Sequence, residues 1–109
     1  MPPRNWKIAG YTTVGKKEII EILADYRREV ADRYGILEIG VFGSAARDEI
    51  GAESDVDVVI RIAKPDLFML AGIKDELEKR LQCPVDIVTY RENMNKFLKE
   101  RIDKEAAYA

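Results

Sequence analysis

Ten residues separate the pair Gly43-Ser44 from two aspartates one residue apart, Asp55 and Asp57, and a third acid, Asp86, interrupts the apolar run Val85–Thr89. Asp-x-Asp on a strand turns both carboxylates to one face, with Cα atoms about 6 to 7 Å apart. Hard oxygen donors so placed suit Mg²⁺, which keeps several waters and fills its shell with phosphate oxygens. Glycine lets a ligand approach the backbone, and amides at a helix start favour a phosphate. Arg47, one helical turn past Ser44, can reach the same anion. The residue types point to chemistry on a polyphosphate.

Each piece alone is weak: Asp-x-Asp is as often an ordinary strand end, Gly-Ser a plain turn, and an arginine on a short helix a solvated side chain. Asp86 adds weight because its neighbours Val85, Ile87 and Val88 are apolar. Burying an acid among them without a compensating charge or metal is costly. If its strand lies beside the one carrying Asp57, all three acids share a face, and the third serves as general base towards a hydroxyl or completes a metal site.

The elements that must position these residues follow from period and punctuation. Ile19, Ile20, Leu23, Tyr26, Val30 and Tyr34 recur at helical spacing and predict a helix from about Lys16 to Gly35, capped by Thr12 or Thr13. Ile36 to Phe42 is a branched apolar run ending in glycine, a buried strand that delivers the chain to a tight turn. Ser44 to Arg47 is expected to open a short helix. In the next strand, Val56 to Ile62, the residues Asp55, Asp57 and Val59 face one side while Val56, Val58, Ile60 and Ile62 face the other. Pro65 suits a first helical position and Asp66 a helix start, for a helix reaching about Gln82. Pro84 forces an extended approach to a third strand at Val85–Thr89. Arg91 to about Ala107 reads as a last helix, with the tail to Ala109 frayed and Tyr108 docking at most. The order predicts a small α/β (α+β) fold, a mixed sheet with helices packed on its apolar face.

Residues 1–12 have no period and read as an N-terminal arm, with Trp6 packed on the domain or a partner. Residues 13–109 form one domain. The 18 Lys and Arg against 20 acids give a net charge of -2, which disfavours a polynucleotide binder. With no histidine and one cysteine, chemistry must run on carboxylates, hydroxyls and cations. Cys83 reads as a small apolar residue rather than a reactive thiol, and Tyr90-Arg91 as turn residues that could stack on a base or meet a partner. No apolar run approaches the roughly 18 residues of a bilayer span, and the start lacks a signal-peptide core, so a cytoplasmic location is expected.

The run FGSAARDEIGAESDVDVVI, with Asp86 on a following strand, resembles the signature of the nucleotidyltransferase superfamily that includes DNA polymerase beta and kanamycin nucleotidyltransferase. It looks most like the minimal nucleotidyltransferases that act as antitoxins beside a HEPN-domain toxin. The resemblance implies that Gly43, Ser44 and Arg47 hold the triphosphate of ATP, that Asp55 and Asp57 bind two Mg²⁺ ions, and that Asp86 is the third carboxylate. It further implies in-line attack on the α-phosphate, with AMP passing to a tyrosine of the HEPN toxin ribonuclease and pyrophosphate leaving. Many relatives read Gly-Ser-Arg-Ala-Arg-Gly where this chain has Ala45 and Asp48 at the first arginine and second glycine, while Arg47 and every acid are retained. The small size fits an acceptor brought by another chain in a hetero-oligomer, with a homodimer as the alternative for the chain alone. An antitoxin working by contact alone, and a transferase for a small hydroxylated molecule such as an aminoglycoside, are the alternative readings. Nucleotide preference, the number of AMP units and the acceptor residue are not encoded in any motif.

Overall fold

The computed structural model describes residues 15–47 and 55–109. In order they form α1 (Lys16–Tyr34), β1 (Ile36–Phe42), β2 (Val56–Ile62), α2 (Leu67–Leu81), β3 (Val85–Thr89), α3 (Lys96–Glu105) and β4 (Ala107–Tyr108). The expected arm with Trp6 and the expected Thr12 or Thr13 cap lie outside the described residues. The N-cap of α1 is Gly15, which makes no side-chain cap bond.

The apolar stripe Ile19, Leu23, Tyr26 and Val30 buries one face of α1, and Gly35 ends the helix in the left-handed region at φ 65°. β1 then pairs antiparallel with β2. From β2 the chain crosses through α2 and returns as β3, parallel to β2, the connection that a parallel pair requires. The sheet order is β3-β2-β1-β4.

Asp66 is the N-cap of α2, accepting from the N–H groups of Phe68 (2.8 Å) and Met69 (3.2 Å). Pro65 therefore precedes the cap rather than opening the helix, because the Asp66 side chain supplies the stronger start signal. Ile73, Leu77 and Leu81 carry α2 into the core. Tyr26 donates to Glu76 Oε1 at 2.6 Å, fastening α1 to α2.

The mixed α/β class holds, but the helices divide. α1 and α2 cover the face of Val56, Val58, Ile60 and Ile62. α3 lies on the opposite face, where Ile102 packs with Phe42 and Val59 in a second small cluster. Those two apolar residues on the acidic face of the strands require a cover, and α3 supplies it.

The last helix is shorter than expected, starting after its N-cap Asn95, whose side chain accepts from the Leu98 N–H at 3.0 Å. The tail is not frayed. Ala107 and Tyr108 form β4, paired antiparallel with Val41 and Gly40 of β1. Gly40 permits this approach, since a Cβ there would stand 2.5 Å from the Ala107 carbonyl oxygen. Backbone pairing at an open sheet edge outweighs the helical propensity of the alanines.

Candidate active site

β1 ends at Phe42 and hands the chain to Gly43, whose φ of 70° only glycine adopts without strain. The turn through residues 43–47 closes with a bond from the Arg47 N–H to the Gly43 carbonyl at 3.1 Å. Ala45 and Ala46 are buried, which anchors the turn, and Ser44 stays half-buried beside Gly43. The expected short helix is a single turn here, and residues 48–54 lie outside the described region.

The register of two ladders brings the acids to this turn. Asp57 stands opposite Phe42 across the β1–β2 ladder and level with Asp86 across the parallel β2–β3 ladder. Adjacent strands lie about 4.8 Å apart, so the Asp57 and Asp86 carboxylates leave one face side by side. Asp55 sits just ahead of β2, exposed. A Cβ on Gly43 would fall 2.6 Å from Asp57 Oδ2, so glycine is needed for the carboxylate to lie against the turn.

Burial, and next the charge of Asp86, push the Asp57 carboxyl above its ordinary value; Arg101 pulls it down, Asp55 raises it and Arg47 lowers it. All three sequence-predicted acids therefore act on one locus. Among the described residues no three metal-type side chains gather closely enough to enclose an ion by themselves. Mg²⁺ sites commonly take one or two carboxylates and complete their shell with water and substrate phosphates. The donor set fits: oxygen ligands, with like charges whose repulsion a divalent cation would relieve.

One expectation is corrected. Asp86 is exposed, not buried among apolar neighbours. β3 is the sheet edge, and α3 covers only the part of this face near Val59, leaving Asp86 open. Its significance rests on register with Asp57, not on burial.

Beside the acids opens a cleft of about 560 Å³, lined by Asp57, Asp86, Lys74, Arg101, Leu70 and Leu98 among others. Its walls come from α2, β3 and α3. Arg47 reaches Glu105 Oε1 at 3.1 Å, and the same oxygen accepts from the Gly43 N–H at 3.2 Å. Lys74 pairs with Glu78 at 2.8 Å at the other side of the cleft. Arg101, Glu105 and Lys74 escaped sequence reasoning because charged residues on amphipathic helices look like solvated faces. The available signals were the four-residue steps from Arg101 to Glu105 and from Lys74 to Glu78. Tyr90 is a structural residue, donating to Asp103 at 2.9 Å beneath the Arg61 guanidinium. Cys83 packs against the main core as expected.

The nucleotidyltransferase domain family matches residues 23–109. The protein adenylyltransferase MntA of Thermococcus cleftensis is 38% identical over 73 residues, 66% of this chain and 74% of its own. A solved chain assigned as a minimal nucleotidyltransferase is 33% identical, with a TM-score of 0.64 over 81% of this chain and 93% of that one. The MNT antitoxin in complex with the tri-AMPylated HEPN toxin of Shewanella oneidensis shares the fold, with 20% identity and a TM-score of 0.55 over 85% of this chain and 66% of that one.

Proposed function

Because this chain belongs to the nucleotidyltransferase domain family, we propose that it transfers AMP from ATP to a tyrosine hydroxyl of a HEPN toxin ribonuclease in the cytoplasm and so silences it. The observation that carries this is the register of Asp57 with Asp86 beside the Gly43 turn. The name of the Thermococcus relative and the AMP-bearing HEPN complex of the structural neighbour support the choice of donor and acceptor.

The residues divide the work. Gly43 lets the triphosphate approach the turn, and the N–H and hydroxyl of Ser44 hold it, with Arg47 at hand for its charge. Asp55, Asp57 and Asp86 would hold two Mg²⁺, which when bound stabilise charge on the attacking and departing oxygens. Asp86, exposed at the cleft mouth, accepts the proton of the incoming tyrosine hydroxyl. The tyrosine oxygen bonds to the α-phosphorus as the bond to the bridging oxygen breaks, and pyrophosphate leaves with the electron pair. A cleft open over Asp86 suits an acceptor carried on another chain.

The test incubates the purified chain with α-labelled ATP, Mg²⁺ and the product of its neighbouring gene. Label on the neighbour is the expected result. A folded chain that leaves the neighbour unlabelled sinks the proposal. Asn at both Asp55 and Asp57 then separates enzyme from contact-only antitoxin, because only the latter still protects cells.

A further inference from the structure

A cation that no motif announces lies beside the phosphate turn. Arg101 Nη2 comes within 3.0 Å of the point where a Cβ on Gly43 would stand, the same point that Asp57 Oδ2 approaches to 2.6 Å. Guanidinium, carboxylate and glycine backbone thus meet at one spot. The guanidinium also rests 5.6 Å from the centre of the Phe42 ring, and its Nε is 3.6 Å from Glu105 Oε1.

The ion pair with Glu105 does not by itself account for this placement. The pair with Glu105 is long, spans one helical turn and is partly exposed, so it contributes little to folding. What Arg101 does have is a position between the turn and the carboxylates, at the wall of the cleft. A triphosphate laid on Gly43-Ser44 with its α-phosphate towards Asp57 presents oxygens to that position. A guanidinium fork matches two phosphate oxygens at once.

Resting on the reading that ATP is the donor, we propose that Arg101 is a further substrate-binding residue that grips the β- and γ-phosphates, and that Glu105 is its positioning residue. Glu105 Oε1 gathers the Gly43 N–H at 3.2 Å, Arg47 Nη1 at 3.1 Å and Arg101 Nε at 3.6 Å, so one carboxylate ties the turn and both cations into a single frame. Only Ala106 separates Glu105 from β4, which pairs with β1 at Gly40 and Val41 and so holds that carboxylate near the turn. When the bridging bond of ATP breaks, the electron pair passes to pyrophosphate, and Arg101 faces the charge that builds there.

The experiment measures binding of three probes to the full chain with Mg²⁺: ATP, inorganic pyrophosphate and AMP. Arg101→Gln is expected to weaken ATP and pyrophosphate by about tenfold or more while changing AMP less than about twofold, and Arg101→Lys to recover part of the loss. Equal loss for all three probes would mark a merely structural side chain and overturn the proposal, as would unchanged ATP and pyrophosphate binding. Glu105→Gln is expected to weaken ATP less than Arg101→Gln does; tighter ATP binding would make Glu105 a competing anion and overturn its positioning role. A folded wild-type chain that binds neither ATP nor pyrophosphate overturns the donor reading itself, a result distinct from failure at Arg101 alone.

Discussion

On one face of the sheet Val56, Val58, Ile60 and Ile62 of β2 are all buried beneath α1 and α2; on the other, Asp57 and Arg61 are half-exposed and only Val59 between them is buried. The same seven residues of β2 build both faces. The dry face supplies the hydrophobic driving force, so the other can hold carboxylates that repel one another beside a glycine turn. Function on the second face is sustained by packing on the first.

The largest effect expected from breaking this division is on catalysis. Asp57→Asn should lower AMP transfer on the order of 10³-fold, read with labelled ATP, while the thermal midpoint holds or rises. The rise has a cause: burial and Asp86 both oppose the charge that the substitution removes. A clear fall in the midpoint would show that the acidic face contributes stability after all.

On the dry face, Leu23→Ala removes a side chain that is 0% exposed and should cost about 2–5 kcal/mol in urea unfolding, with ATP affinity unchanged in the remaining folded protein. Gly43→Ala falls between the two. Its positive φ and the contact with Asp57 should cost about 1–3 kcal/mol and also weaken ATP binding, so calorimetry and denaturation both report the change.

The smallest effect is a pH dependence at the α1–α2 contact. Burial, and then the hydrogen bond to Glu76, raise the Tyr26 phenol well above its ordinary value of 10.0. The folded chain therefore keeps this proton after the unfolded chain has lost it. The contribution is complete below about pH 10 and declines as pH rises further. Tyr26→Phe should flatten that alkaline decline in a series of denaturation curves; an identical slope in the variant would place the dependence elsewhere.

Much of the fold was legible locally. The stripes of α1 and α2 and the alternation in β2 are patterns of a single element, and they place the core without reference to neighbours. β4 was not legible, because Ala107-Tyr108 has no strand pattern and becomes one only where Gly40 leaves room at the edge of β1. The two-to-one division of the helices was also hidden, since nothing within α3 says which face of a sheet its Ile102 will meet.

In the site the same boundary applies. The identities and spacing of Gly43, Ser44, Asp55, Asp57 and Asp86 set the kind of chemistry available, because side-chain type and strand period are properties of the chain itself. Whether Asp86 stands level with Asp57, lies open rather than buried, and shares its locus with Arg101 and Glu105 depended on strand order, register and the path of α3. Those are long-range pairings, in which distant segments choose partners by the surface they can bury together, and only the assembled structure makes that choice.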